Sequence, residues 1–280
     1  MNLGILFQCC LSLASAVLSH LPAEDLTDQV RANVETRTKG TSPQLFTTFT
    51  DGTRFVRNPR CWLNDMKGLS AVHAGYGPGA TAITPWHVIG ANHWKHESGA
   101  KLYFCDLQNH SIVRCVVASM EIRPDIKSDI WLAVLDQRLP VSITPMPLMP
   151  PAWTNYVRHS RFPVAALNKK NEFGAGEVLT FRQPVSGWYL YGYLYQPSSL
   201  APTLQFAPLQ GGDSGRPIVT LVNGNLVLLG HLTFEPGKGR FAGPDYSAYS
   251  ADIQSGIRKL GTNNAATAQN LRTIDLSDFK

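Results

Sequence analysis

Nineteen prolines and 23 glycines are scattered along the whole chain. A backbone interrupted that often builds many short elements joined by turns rather than a helical bundle. Proline removes an amide donor, and glycine supplies the conformations that turns require. The segments between the breaks read as strands. FTTFT is followed by Asp51-Gly52, a hairpin signal, and then by TRFV; LSAVHAGYG, GATAIT, KLYFCDL, SIVRCVV and DIWLAVL come next. Residues 137 to 153 hold five prolines and cannot form a central strand, so they read as an extended linker. A second β-rich block follows: EVLTFRQ, GWYLYGYLY, TLQFAP, RPIVTLV, an Asn223-Gly224 turn, NLVLLGHLTF and DYSAYSADI. The best helical stretch is ADIQSGIRKLG, with Gly261 as its stop.

These patterns predict an all-β protein of two antiparallel β units with a C-terminal helix. The expected organisation is residues 1–23 as a signal peptide, 24–44 as a polar lead-in that is either mobile or one short helix, and 45–136 as the first β unit. The linker at 137–153, the second β unit with its helix at 154–262 and a tail at 263–280 complete it. At 280 residues with 44% hydrophobic and 16% charged side chains, the chain can bury a sizeable core and does not have the composition of a disordered protein. The net charge of +5 is spread thinly, with no block of lysine and arginine interleaved with aromatics, so no nucleic-acid partner is expected.

Residues 3 to 18 are nearly apolar, carry no formal charge and are shorter than the roughly 20 residues that span a bilayer. Ala14-Ser15-Ala16 offers a cleavage site near residue 16, and Leu21-Pro22-Ala23 offers another near 23. The expectation is a secreted, periplasmic or extracellular protein without a stable membrane span after cleavage; a retained anchor or a first core strand is the alternative. Cys9 and Cys10 would leave with the signal. Cys105 and Cys115 flank DLQNHSIVR, a hairpin across which they could form a disulfide in an exported protein; two buried free thiols are the alternative, and Cys61 is left over. No metal-ligand spacing is present, and no cofactor is expected.

The chemistry concentrates at Gly211-Gly212-Asp213-Ser214-Gly215, a tight bend before RPIVTLV. Glycines on both sides of a serine let successive N–H groups converge beside its hydroxyl, as stabilising a developing oxyanion requires. A serine needs a base. Of eight histidines, His87 follows the β-like run GATAIT, which would present it at a strand end, whereas His73, His93, His96, His110 and His159 lie in polar or turn-like surroundings. The base needs an orienting carboxylate, and Asp129 begins an apolar run at the edge of the core; Asp125 and Asp136 are rivals in more exposed settings.

Taken together, TAITPWHVIG, SDIWLAVL and GGDSGRPIV resemble the histidine, aspartate and serine segments of chymotrypsin-like (trypsin-like) serine proteases, in that family's order. The resemblance covers roughly residues 45 to 260. It implies a double β-barrel, six-stranded in type, with the active site between the barrels. It implies His87, Asp129 and Ser214 as catalytic residues and Gly212 and Ser214 as oxyanion donors, with Thr233 beside Asp129. The substrate pocket would involve Pro208, Leu209, His231, Leu232, Thr233 and Asp245, of which Asp245 reads equally as a turn carboxylate. Arg216 stands where the family has glycine, Trp86 replaces a small residue, and no sequence supports activation by a freed N-terminus. The implied function is a secreted serine endopeptidase acting on a peptide or protein substrate. A non-catalytic binding domain on the same fold, or an esterase with the same triad, are the alternatives.

Overall fold

The computed structural model describes residues 25–50, 54–157, 161–182, 189–195, 206–233, 239–261 and 263–279. The expected signal segment, the Asp51-Gly52 turn and His159 lie outside them. The first helix, α1 (Leu26–Thr38), begins at Asp25, whose carboxylate accepts from the Thr27 and Asp28 N–H groups. Leu26, Val30 and Val34 recur at four-residue spacing and are buried, so of the two readings of this segment the short helix holds, and it is docked rather than solvated. It packs on the second β unit, and Arg31 pairs with Glu177 at 2.6 Å.

A short hairpin, β1 (Phe46–Thr50) with β2 (Arg54–Arg57), precedes the first large sheet. That sheet is built from β3 (Thr81–Ala82), β4 (His87–Ala91), β5 (Lys101–Cys105), β6 (Ser111–Ile122) and β7 (Ile130–Leu135), in the order β3-β4-β7-β6-β5. The segment 72–74 joins its two edges: Val72 bridges Thr81, and the Ala74 N–H donates to the Tyr103 carbonyl at 2.8 Å. The second sheet holds β8 (Phe162–Leu167), β9 (Phe173–Arg182), β10 (Tyr189–Leu194), β11 (Pro217–Val222), β12 (Asn225–His231) and β13 (Arg240–Pro244), in the order β12-β11-β8-β9-β10-β13. Its outer strands meet through Thr233 N–H to Ala242 O at 2.9 Å and Tyr246 N–H to Leu229 O at 2.9 Å. Two antiparallel sheets, each curled until its edges meet, make the double barrel of the chymotrypsin-like fold. The first has five strands closed by a short segment, where six were expected.

Strands β4, β7, β8 and β11 are buried along their entire length, as strands packed on both faces must be, and each is an apolar run. The proline-rich crossing is extended and itself buried at Leu139, Ile143, Met146 and Leu148; it hydrogen-bonds Ala82 of the first sheet and Leu228 of the second. The C-terminal helix, α2 (Ser250–Leu260), packs back on β6 and β7 with Gly256 against Ile122 and Leu132. A last short helix, α3 (Asn264–Thr267), leads to a tail whose Ile274 N–H bonds Leu148 O. The chain thus crosses from one barrel to the other and returns, which fixes the two around the cleft.

The expected disulfide does not form. Cys105 sits opposite Ser111 and Cys115 opposite Lys101, so the two cysteines are four ladder steps out of register, about 14 Å. A disulfide needs Cα atoms within about 7 Å. Cys61, Cys105 and Cys115 are free thiols, and burial pushes the Cys105 thiol up to about 11.

Candidate active site

Strands β4 and β7 pair antiparallel so that Ala91 lies opposite Ile130. The next ladder step joins the Asn92 N–H to the Asp129 carbonyl at 2.8 Å, which sets His93, just past the end of β4, beside Asp129, just before β7. Asp129 adopts φ +61°, a left-handed conformation that asparagine and aspartate tolerate better than most residues. From there its carboxylate accepts from the His93 backbone N–H at 2.8 Å and meets His93 Nδ1 at 3.0 and 2.8 Å. The far nitrogen, His93 Nε2, lies 2.9 Å from Ser214 Oγ. With Nδ1–H donated to the carboxylate, Nε2 is the acceptor, and the Ser214 hydroxyl donates to it in preference to the Thr233 carbonyl at 3.4 Å.

The structure therefore brings Asp129 and Ser214 together, but with His93 and not His87. His87 opens β4 opposite Val134, about 14 Å of strand from the end that meets Asp129. It is fully buried, its Nδ1 lies 2.9 Å from Thr84 Oγ1, and burial lowers it to about 4. It is a neutral core histidine. In sequence, Ala91-Asn92-His93-Trp94 reads as polar and turn-like, which hides His93 among the unremarkable histidines. The signal that picks it out is the apolar run VIGA that ends two residues before it: the strand is HVIGA, and His93 is the second residue past its end, where the next ladder step carries it to Asp129. The rival acids are engaged elsewhere, Asp125 with Arg123 at 2.9 and 2.8 Å and Asp136 with the Cys115 N–H at 2.9 Å.

Burial alone would raise the Asp129 carboxyl. The His231 imidazole beside it and the His93 donors outweigh it and hold the group well below the usual carboxylate range. The imidazole of His93 is about half exposed while the Asp129 carboxylate is nearly covered, so the base is reachable from the cleft and its orienting acid is not.

Ser214 stands on a bend with Gly212 at φ +93° and Gly215 at φ +79°. The second barrel's loop is locked to the first: the Gly79 N–H donates to Ser214 O at 2.9 Å, and a Cβ on Gly215 would meet Gly79 O at 2.5 Å. Arg216 completes the clasp. Fully buried, it donates to the His73 carbonyl at 3.0 Å and the Gly75 carbonyl at 2.8 Å. Asp213 turns inward and accepts from the Lys169 and Gln210 N–H groups, each at 2.7 Å; burial raises its carboxyl. Among the described residues, no acceptor takes the Gly212 or Ser214 N–H.

A cleft of about 270 Å³ opens beside this bend, lined by residues 209–214 with Leu232 and Thr233. Three of the expected pocket residues are placed elsewhere. Pro208 is exposed and its carbonyl accepts from Asn168 Nδ2 at 3.2 Å. Asp245 is buried and accepts from the Ser247 N–H at 3.0 Å and hydroxyl at 2.7 Å, a turn carboxylate that burial raises to about 6. His231 lies behind the triad, its Nε2 3.6 Å from Asp129 Oδ2 and 3.3 Å from Thr233 Oγ1. Thr233, expected against Asp129, touches His231 instead.

Among the described residues no group of three or more histidine, cysteine, aspartate or glutamate side chains could hold a metal ion, and no helix is long and apolar enough to cross a membrane. No family model matches the chain, and no curated protein does. Among solved structures, human heparin binding protein is similar at 16% identity and a TM-score of 0.49, over 67% of this chain and 88% of that one, a likeness that identifies no function.

Proposed function

We propose that this protein is a serine endopeptidase whose triad is Ser214, His93 and Asp129, exported with residues 1–23 as its signal. The observation that carries the reading is the unbroken run of contacts from Ser214 Oγ to His93 Nε2 at 2.9 Å and from His93 Nδ1 to Asp129 at 2.8 Å. Ser214 Oγ attacks the scissile carbonyl carbon while its proton passes to His93 Nε2. The resulting imidazolium is held by ionised Asp129, and the carbonyl oxygen, now an anion, faces the Gly212 and Ser214 N–H groups. Collapse of the tetrahedral species breaks the C–N bond, and His93 gives its proton to the leaving amine. Water then repeats the sequence on the acyl-enzyme and restores the serine. No cofactor enters any step.

The seating of Asp213 supports a site that forms without a freed N-terminus. Both its carboxylate oxygens are taken by N–H groups of the chain's own interior, Lys169 and Gln210. An inactive purified precursor that gains activity on N-terminal trimming would overturn this part of the reading.

The test is labelling of the purified protein with a fluorophosphonate beside Ser214→Ala, His93→Ala and His87→Ala. Labelling at Ser214 that is lost in the first two variants and kept in the third is expected. A folded protein that does not label would favour a binding domain on the same fold, and turnover of small esters without peptides would favour an esterase.

A further inference from the structure

We propose that His231 and Tyr246 are positioning residues for the triad, a buried pair that presents Asp129 with a second imidazole donor. The proposal rests on the serine-hydrolase reading above. His231 ends β12 opposite Pro217, three residues after the nucleophile, and both His231 and Tyr246 are shut off from solvent. His231 Nδ1 lies 2.5 Å from the Tyr246 hydroxyl oxygen, and His231 Nε2 lies 3.6 Å from Asp129 Oδ2 and 3.3 Å from Thr233 Oγ1.

A neutral imidazole has one N–H, and the surroundings decide where it sits. An ionised carboxylate can only accept, so the nitrogen facing Asp129 must carry the proton. The opposite tautomer would set the Nε2 lone pair against the carboxylate. His231 Nδ1 is then an acceptor, and the Tyr246 hydroxyl must donate to it. Burial, and next the charge of Asp129, keep that hydroxyl protonated. Burial also holds His231 below its ordinary value against the pull of Asp129, so the ring serves as a dipolar donor and not as a counter-ion.

All donors in the run then point toward one acceptor. Tyr246 donates to His231, His231 faces Asp129, Ser214 donates to His93, and His93 donates to Asp129. The ionisable groups around the carboxylate are His93, His231, Tyr246 and Tyr189, whose hydroxyl bonds Lys127 O at 3.3 Å. With the His231 ring 3.6 Å from Oδ2 on its second side, the carboxylate is flanked by two imidazoles. It is also less basic than one held by His93 alone, which sets how tightly His93 keeps a proton.

The experiment follows the second-order rate of fluorophosphonate labelling of the whole chain against pH, for wild type and Tyr246→Phe. The substitution keeps the ring and removes only the hydroxyl, leaving His231 Nδ1 free to take the proton. Labelling at neutral pH should fall roughly tenfold, the factor one hydrogen bond of ordinary strength is worth. The acid limb should move to higher pH, because a carboxylate relieved of one donor holds the His93 proton harder. A merely structural loss would leave that limb in place. A rate within twofold of wild type with an unmoved limb overturns the proposal. Nitrogen NMR of the wild-type imidazoles provides a measurement that does not depend on the variant folding: His231 protonated at Nε2 and bare at Nδ1 supports the proposal, and the reverse overturns it. That spectrum needs no activity, so an unreactive Ser214 would defeat the serine-hydrolase reading while leaving the tautomer answered.

Discussion

Alanine substitutions along the nucleophile bend should separate into a graded series. At Gly211 a Cβ would meet nothing within 4 Å and the backbone is in an ordinary conformation. Gly211→Ala should therefore stay within about 0.5 kcal/mol of wild type. At Gly212 the space is adequate, with Lys169 at 3.4 Å, but φ is +93°; left-handed backbone costs an alanine about 1–2 kcal/mol. At Gly215 the same conformational cost, at φ +79°, adds to a Cβ placed 2.5 Å from Gly79 O and 3.0 Å from Gly79 N. An ordinary carbon–oxygen contact is about 3.3 Å, so one backbone or the other must move by roughly 0.8 Å. Overpacking of that kind costs about 1–3 kcal/mol, which brings the total for Gly215→Ala to about 2–5 kcal/mol. In a chain of this size the melting temperature should drop by roughly 5–15 °C. The Gly79 contact also holds Ser214 in place, and a displacement near 1 Å should slow fluorophosphonate labelling on the order of 10²-fold. Thermal melts and labelling rates on the three variants side by side make the assay. Gly215→Ala indistinguishable from Gly211→Ala in both would show that the two barrels are not clasped at this contact.

His87→Ala should leave labelling per folded molecule within about twofold while costing about 2–4 kcal/mol through the cavity it opens. Because burial lowers His87 from 6.5 to about 4, the unfolded chain takes up that proton first. Stability from this group is complete above pH 6.5 and is lost as pH falls toward 4, by about 3 kcal/mol, and urea melts across that window should show the loss in wild type and less of it in the variant. Asp245 has the opposite sign. Its carboxyl is raised from 3.8 to about 6, so the folded state binds the extra proton and stability falls as pH rises from 4 to 6. Asp245→Asn should raise stability at pH 7 by roughly 2–3 kcal/mol, an outcome that equal melts of the two proteins would contradict. Peptide mapping of air-oxidised protein should find no Cys105–Cys115 link, since closing one would require the β5–β6 hairpin to shift by four residues.

Much of the architecture follows from local chemistry. Short apolar runs bounded by glycine and proline become strands in most places, KLYFCDL and DIWLAVL among them, although LSAVHAGYG instead forms a 3-10 turn at Leu69–Ala71; five prolines in 17 residues make an extended crossing. The Ser214 bend is equally local, since Gly212 and Gly215 supply conformations that other residues resist. Asp129 could be picked out because an acid at the head of an apolar run sits at the edge of a core. Helix α1 is legible in sequence only as one of two options for a polar segment, because Leu26, Val30 and Val34 are widely spaced among charged residues and their burial requires the second barrel to lie beneath them.

The base depended on register. His87 and His93 stand at the two ends of one five-residue strand, and nothing local states where that strand begins. Pairing with β7 decides it, by setting Ala91 against Ile130 and carrying His93 to Asp129 while sealing His87 in the core. The same holds for Cys105 and Cys115, separated by hairpin register, and for His231, whose role depends on Tyr246 and Asp129 arriving from distant strands. Residue type and spacing determine which elements form and which chemistry the chain carries. Contacts between residues far apart in sequence determine which of several identical side chains performs it, because hydrogen-bond geometry and burial exist only once the strands have paired.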